Sequence, residues 1–217
     1  MPRLKSCPTC RGLGDGTCED CDGSGKVLAH LKPLGPGTTE ISECGLYRRT
    51  LTRDLGAKAW NELLSDRPLG VIGLNPSVAR HDIDDPTIRK ECYFTTAWRC
   101  GQLVKENAYD YRSTDPKAMF AAAASGVVIS TPENDLAIAR LARLCIARDG
   151  MLLAAWGKPS LGRAQAVLHA ARIAAIIALV GDCPLLCVGV NGDDSPKHPL
   201  YLPNETMPQP WRLKEAV

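Results

Sequence analysis

The sequence predicts an α/β fold, a three-layer sandwich in which helices cover both sides of a central, mainly parallel four-stranded sheet. Two observations support this prediction. Four short apolar runs alternate with helical stretches of about 15 residues or more, which is the pattern of crossover units in a parallel sheet. Ahead of them lies a short segment with two closely spaced pairs of cysteines, which predicts a small additional module.

The elements of the α/β domain follow from apolar spacing and from the residues that interrupt it. A helix is predicted over 51–64 from its helical spacing, with Pro68 after its end. The later helices are predicted over 86–99, from about Asp115-Pro116, after Thr131-Pro132 and over 159–180. Proline at a first helical position and a preceding capping side chain such as Thr131 predict several of these starts. The strands are predicted at 69–74, 102–106, 151–155 and 185–190.

The cysteine pairs near the amino terminus have metal-ligand spacing. Two copies of the pattern C-x-x-C-x-G-x-G place Cys7 and Cys10 in one knuckle and Cys18 and Cys21 in the other. Each pair presents two thiolates from one turn, and four thiolates suit one tetrahedral Zn²⁺ ion. Both knuckles resemble the cysteine-rich repeats of DnaJ-type chaperones. Disulfides are the alternative, and they require an oxidising compartment.

The division into parts follows from these observations. We expect a zinc knuckle module over residues 1–28, a linker rich in proline and glycine over 29–46, and the α/β domain over 47–217. The remaining six cysteines show no ligand spacing and are expected to be core residues or surface thiols.

Net charge leaves a nucleic-acid partner open, whereas hydropathy argues against a membrane partner. The net charge of +2 neither supports nor excludes a nucleic-acid partner. The longest apolar run, 173–180, is shorter than the roughly 18 to 20 residues that cross a bilayer, and the chain opens without an apolar secretion signal. We therefore expect a soluble, cytoplasmic protein with no membrane partner.

Polar side chains follow the predicted strands where each strand ends. The first strand runs into Asn75, the second ends at Asn107, the third is closed by Trp156-Gly157, and the fourth leads to His198. Ligands of parallel α/β sheets lie beyond the carboxyl ends of the strands, so these residues are the candidate site.

In order and position, these strand-end motifs resemble those of the uracil-DNA glycosylase superfamily. The resemblance implies a fold of that type, a water-orienting role for Asn75, a pyrimidine-reading role for Asn107, and a role for His198 in stabilising the oxyanion on the departing base. Ser77 stands where the superfamily has Gly or Tyr. Asn75 activates water less strongly than an aspartate would. Slow hydrolysis, or no hydrolysis, is therefore an alternative.

A closer resemblance covers about residues 47–211. The motifs L-N-P-S (74–77), D-D-P-T (84–87), N-x-x-x-Y-R-x-T-D-P (107–116), W-G (156–157) and H-P-L-Y-L (198–202) resemble an uncharacterised bacterial and phage family, a domain of unknown function. The family has no assigned reaction that the resemblance carries over.

Further candidates complete the predicted site, each with a simpler structural alternative. Asp85 is a candidate catalytic carboxylate, although Asp-Asp-Pro-Thr is also an ordinary helix start. Ser77 and Tyr109 are candidate base-binding residues beside Asn107. The candidate nucleic-acid contacts are Lys158, Lys197 and Arg112, and the alternative is that these side chains are solvated or paired with neighbours.

The leading hypothesis is a nucleic-acid or nucleotide base-recognising enzyme with N-glycosidic bond chemistry on a uracil-like or modified base, whose partner is nucleic acid, DNA before RNA, or a nucleotide. Departure of the base as an anion requires a hydrogen-bond donor at its oxygen, which is worth about 3 kcal/mol. A non-catalytic nucleotide-binding or nucleic-acid-binding module is the second hypothesis. Transfer within a phage DNA base-modification pathway is the third.

Overall fold

The computed structural model describes residues 4–6, 26–28, 33–56, 65–77 and 79–213. The strands in these ranges are β1 (Leu4–Ser6), β2 (Lys26–Leu28), β3 (Thr39–Ile41), β4 (Arg48–Asp54), β5 (Ser65–Gly73), β6 (Cys100–Asn107), β7 (Met151–Ala154), β8 (Leu185–Cys187) and β9 (Gln209–Pro210). The helices are α1 (Pro86–Ala97), α2 (Pro116–Ala124), α3 (Pro132–Ala147) and α4 (Arg163–Val180), and a short 3-10 turn covers Pro199–Tyr201.

Seven of the strands form one mixed sheet in the order β3-β4-β6-β5-β7-β8-β9. Neighbouring strands from β6 through β5 and β7 to β8 are parallel. The outer strands β3, β4 and β9 pair antiparallel. The prediction of an α/β fold is confirmed, whereas the predicted four-stranded sheet is wrong in size, because β3, β4 and β9 extend it at both edges.

Helices cover both faces of the sheet. Val71 packs with Ile88 of α1 in one core cluster, while its neighbour Ile72 packs with Ile138 of α3 and Ile173 of α4 in the other. Successive side chains of a strand point to opposite faces, so α1 lies on one side of β5 and α3 and α4 lie on the other. Burial of β5 on both faces explains why its sequence is a continuous apolar run.

Three helices begin where the sequence predicts a cap followed by proline. Asp85, Asp115 and Thr131 each accept a hydrogen bond from a backbone N–H of the first turn of α1, α2 and α3, respectively, and a proline follows each of them. Proline suits this position because its missing N–H has no partner within the helix.

The helix predicted over 51–64 is wrong for its first part. Residues 51–54 belong to β4, and residues 57–64 lie outside the described residues. Pro68, predicted to follow a helix, lies within β5 where the pairing with β6 shifts register. A shift of this kind tolerates a residue that donates no hydrogen bond.

The region before β4 contributes to the main sheet. Within the predicted linker 29–46, β3 pairs antiparallel with β4. Upstream, β1 and β2 form a separate two-stranded antiparallel sheet with Ser6 opposite Lys26. The four predicted zinc ligands fall between these two strands and lie outside the described residues.

Among the described helices, α4 alone has the length and apolar composition that crossing a membrane requires, with a mean hydropathy of 1.5 over 18 residues and 17% of them buried. The uninterrupted apolar run 173–180 is only part of this helix, which also includes Arg163, His169 and Arg172. Length and composition alone do not distinguish a spanning helix from a helix covered by protein.

Candidate functional site

The candidate site lies at the carboxyl edge of the parallel strands. There β5 ends at Gly73 and β6 at Asn107, which are paired in register, while β7 ends next to β5 at Ala154. The backbone continues the pairing past the strand ends, since the N–H of Ala108 donates to the Gly73 carbonyl at 2.8 Å. The polar residues predicted from the sequence follow these strand ends.

Gly73 provides the space in which two side chains of β6 meet. A Cβ atom on residue 73 would lie 2.6 Å from Lys105 Nζ and 2.9 Å from Asn107 Oδ1. Contacts of this length do not occur for real Cβ atoms, so any side chain at residue 73 would displace Lys105 and Asn107. Glycine at this position is therefore required for the approach of the ammonium and carboxamide groups.

The side chain of Asn107 is almost fully buried, with 1% of the residue exposed. Its Nδ2 atom has no hydrogen-bond partner. The backbone carbonyl of Asn107 is held from the opposite face by Asn134, whose Nδ2 donates to it at 3.1 Å. A buried unpaired amide costs about 1–3 kcal/mol, so Asn107 carries hydrogen-bonding capacity that the fold itself does not use.

Lys105 forms a buried ion pair with Glu91 of α1. Glu91 has no exposed surface, and its Oε2 atom lacks a hydrogen-bond partner. Burial raises the pKa of Glu91, against the lowering effect of Lys105. The pair fixes the Lys105 ammonium beside Asn107, beneath the carboxyl edge of the sheet.

Arg48 of β4 adds a further buried charge on the same side. Its Nη1 atom donates to the Ala79 carbonyl at 2.7 Å, and its Nε atom is unpartnered. Burial lowers the pKa of Arg48 to about 10, against the raising effects of Asp85 and Glu91. The carboxylates of Asp85 and Glu91 therefore lie within electrostatic range of this guanidinium.

His198 reaches the site from the loop after β8. Its Nδ1 atom accepts a hydrogen bond from the Leu200 N–H at 3.3 Å, which places the proton of the neutral ring on Nε2. Burial, together with the charge of Lys105, lowers the pKa of His198 to about 4. At neutral pH the imidazole is therefore uncharged, with one N–H donor available.

Gly157 supports His198 from the end of β7. Its backbone has a φ of +71°, which glycine adopts readily, and a Cβ there would lie 3.3 Å from the Cβ of His198. The Trp156-Gly157 sequence therefore positions the loop that carries His198, while Trp156 is buried against Trp211.

Asn75 is oriented by the loop that follows β6. Its Nδ2 atom donates to the Ser113 carbonyl at 2.7 Å and to the Pro76 carbonyl at 3.3 Å. Both N–H groups of the carboxamide are thus occupied by the backbone, and among the described residues no donor contacts Oδ1. The remaining capacity of Asn75 is that of a hydrogen-bond acceptor.

Two other predicted residues have structural contacts. Asp85 caps α1, accepting a hydrogen bond from the Ile88 N–H at 2.8 Å.

Tyr109 turns to the other side of the sheet, where it packs on Phe120 and its hydroxyl lies 3.2 Å from His169 Nδ1. Tyr109 belongs to the core cluster on the α3 and α4 face, and its base-binding role stays a prediction. Ser77 is half-buried in the loop after β5.

The three predicted nucleic-acid contacts are dispersed over different loops. Arg112 donates to the Gly45 carbonyl at 2.7 Å, which ties it to the loop before β4. Lys158 pairs with Asp193 at 3.2 Å on the surface. Lys197 is exposed, and its backbone N–H donates to the Gly189 carbonyl.

The structure thus brings together only part of the predicted set. Asn107 and His198 are linked through Lys105, which lies beside the first and acts electrostatically on the second. No hydrogen bond among the described residues joins Asn75, Asn107 and His198. The sequence reasoning missed Glu91 and Lys105; the one signal for Lys105 was a charged residue inside an otherwise apolar strand, and Glu91 gave none.

A separate cavity of about 360 Å³ lies on the opposite face, below α2 and α4. Tyr109, Val128, Leu168 and Arg172 contribute to its lining. Arg172 is itself engaged, since its Nε donates to the Ala108 carbonyl at 2.6 Å and its Nη1 pairs with Asp135 at 2.5 Å.

The described residues contain no group of three or more His, Cys, Asp or Glu side chains arranged to hold a metal ion. The six cysteines in these ranges are free thiols; Cys44 is exposed and the other five are buried, as predicted for residues without ligand spacing.

Comparisons with known proteins identify a family for this chain. Residues 50–200 match the family described as Protein of unknown function (DUF1643). No curated protein and no solved structure matches the chain. The matched range includes Gly73, Lys105, Asn107 and His198, and it spans more than half of the 217 residues. The prediction of an uncharacterised domain family is confirmed: the chain belongs to the family Protein of unknown function (DUF1643).

Proposed function

We propose that this protein recognises a nucleobase at the carboxyl edge of its sheet and acts on the N-glycosidic bond of a nucleic acid or nucleotide. The observation that supports the proposal most is the buried carboxamide of Asn107, whose Nδ2 has no partner. The motifs around it resemble those of the uracil-DNA glycosylase superfamily in order and position along the chain.

A carboxamide suits base recognition because it offers a donor and an acceptor side by side. A pyrimidine edge with a carbonyl next to a ring N–H matches both groups of Asn107. Burial sharpens the discrimination, because a base with the wrong pattern leaves polar groups unpaired away from water.

The residues beside Asn107 suit a reaction in which the base departs as an anion. The neutral imidazole of His198 donates from Nε2, and Lys105 adds positive charge nearby. In the proposed hydrolysis, a water oxygen bonds to the sugar C1′, the electron pair of the C–N bond leaves with the base, and the water proton passes to solvent. A fixed donor at the developing oxyanion contributes about 3 kcal/mol.

The test is release of free base from oligonucleotides that contain uracil, mismatched thymine or hypermodified bases. The expected result is release from at least one substrate, loss of release in Asn107→Asp, and retention in the matched surface control Asn204→Asp. Asn204 is exposed and lies in the loop after the 3-10 turn. Absence of release across the panel contradicts the enzymatic proposal.

A second candidate function is base or nucleotide binding without turnover. The observation in its favour is that neither residue predicted to activate water is free to do so as a general base. The amide N–H groups of Asn75 are occupied by backbone carbonyls, and Asp85 caps α1. Asn75→Ala separates the two candidates. It abolishes turnover while leaving binding in the enzyme, and in a binding module there is no turnover to lose.

The cysteine knuckles are proposed to hold one Zn²⁺ ion through Cys7, Cys10, Cys18 and Cys21. The spacing of the cysteines supports this proposal, as does the pairing of β1 with β2, which brings Ser6 and Lys26 together at the two ends of the cysteine segment. The module is proposed to help hold the polynucleotide.

A further inference from the structure

The outer surface of α4 is apolar along its whole length. The exposed positions of this helix carry alanine, valine or leucine with one exception, Arg163 at the amino end. The apolar members are Ala164, Ala166, Val167, Leu168, Ala170, Ala171, Ala174, Ala175 and Ala178. Val167 is 68% exposed and Leu168 is 45% exposed. Surface helices of soluble domains normally carry charged residues on this side.

The inner side of α4 packs on the domain, where the half-buried His169 and Arg172 also make polar contacts. Ile173, Ile176 and Val180 are buried in the core cluster that α3 shares. Since the inner side is already packed, the apolar outer side requires a cover of its own. Within the part of the chain that the structure describes, no element packs over the outer side.

The connections of α4 argue against a bilayer as that cover. The helix joins β7 to β8, and these strands are parallel neighbours in one sheet. Both ends of α4 are therefore held close to the same sheet, and insertion across a bilayer would have to separate paired strands.

The outer face is complementary to itself in an antiparallel arrangement. A two-fold axis through the middle of α4 sets Ala171 opposite Ala174 and Ala170 opposite Ala175, so the helix backbones can approach closely. The same axis sets Arg163 at one end opposite Asp182 just beyond the other end, and Asp182 is also exposed. Two ion pairs, each between Arg163 of one copy and Asp182 of the other, would thus flank the apolar contact.

We propose that α4 is a self-association surface, through which two copies of this chain pack in an antiparallel, two-fold symmetric dimer. Such an interface uses the same patch on both copies. At about 1.5 Å per residue, α4 provides a strip about 27 Å long. Val127 and Val128, 37% and 58% exposed, line the cavity next to Leu168 and extend the apolar area towards the roughly 800 Å² per partner of a stable interface.

The experiment measures the mass of the full chain by sedimentation over a range of concentrations. The wild type is expected to be a dimer, and Ala171→Glu is expected to be a monomer, because each copy would bury an unpaired charge at the centre of the interface. Ala97→Glu is the matched control, since Ala97 is an exposed alanine at the end of α1 on the opposite face of the sheet. It should remain dimeric.

A charge exchange tests the antiparallel register without a change in the apolar strip. Arg163→Asp and Asp182→Arg singly should each weaken the dimer by roughly tenfold, because like charges then face each other twice, and the double variant should restore it. A monomeric wild type, a dimer that persists in Ala171→Glu, or a double variant that fails to recover overturns the proposal. Binding of a monomer to phospholipid vesicles through this face overturns it as well.

Discussion

At the scale of single residues, two buried asparagines in contact serve different purposes. Asn134 uses its Nδ2 to hold the carbonyls of Asn107 and Ala108 at the end of β6. Asn107 leaves its own Nδ2 unpaired. The sequence identified Asn107 by its place at the end of an apolar run, whereas Asn134, inside an ordinary helix, carried no signal because its partners are distant in the chain.

This difference predicts opposite effects of the same substitution. Asn107→Leu should raise the free energy of unfolding by about 1 kcal/mol, because it removes an unpaired buried amide, and should abolish base binding. Asn134→Leu should lower the free energy by about 1–3 kcal/mol, because two carbonyls lose their donor. Urea unfolding measures both variants, and a destabilised Asn107→Leu would show that its amide is satisfied in the folded protein.

The depressed pKa of His198 predicts a loss of stability in acid. The unfolded chain binds a proton on His198 near pH 6.5, whereas in the folded protein the pKa is about 4. Between these values the unfolded state holds more protons, so stability falls as the pH is lowered through this window, by about 2 kcal/mol after allowance for partial exposure.

His198→Gln removes this contribution, and its unfolding free energy should fall less than that of the wild type from pH 6.5 to 4. His81→Gln is the control, because His81 is exposed on the loop before α1. Parallel curves for the wild type and His198→Gln would exclude a buried neutral imidazole.

At the scale of elements, local signals were sufficient for the starts of three helices but not for the edge strands. The starts of α1, α2 and α3 follow from a capping side chain and the proline after it, which interact within one turn. The strand β4 was mistaken for part of a helix. Its buried Arg53 is charged, and the residue that makes its burial possible, Asp84, lies 31 positions away with an Nη2–Oδ1 distance of 2.7 Å.

The cap of α1 provides a test of whether Asp85 is structural or catalytic. Asp85→Ala should lower stability by about 1 kcal/mol, whereas Asp85→Asn should keep it, because asparagine also caps helices well. If Asp85 activates water, Asp85→Asn loses base release despite its normal stability. Asp115→Asn, at the equivalent cap of α2, should change neither quantity; unchanged release in Asp85→Asn assigns Asp85 to capping alone.

The pairing of β1 with β2 brings together the two ends of the cysteine segment, which is proposed to bind zinc. The purified protein should contain about one zinc per chain by elemental analysis, and Cys7→Ser or Cys18→Ser should lose it, because three thiolates leave the tetrahedral site incomplete. Cys44→Ser is the control, since Cys44 is an exposed free thiol. Zinc that survives in both Cys7→Ser and Cys18→Ser would disprove the proposed ligands.

At the scale of the whole molecule, the central strands were predictable because burial on both faces makes them continuously apolar. The outer strands were not, since they are short or charged and take part in the sheet only through pairing with distant segments. Thus β3 lies in a stretch with the composition of a linker, and β9, near the end of the chain, pairs with β8.

This arrangement places the start of the main domain earlier than residue 47. Leu34 donates its N–H to Asp84 Oδ2 at 2.9 Å, and the backbone N–H groups of Thr52 and Asp54 donate to Thr38 and Pro36. A chain that begins at residue 33 should therefore unfold at the same urea concentration as the α/β domain of the full chain. A chain that begins at residue 47 should be less stable by about 3 kcal/mol or more, because it loses β3, these backbone bonds and a partner of buried Asp84. Equal stability of the two truncated chains would show that residues 33–46 are a linker, as their composition suggests, and not a structural edge of the sheet.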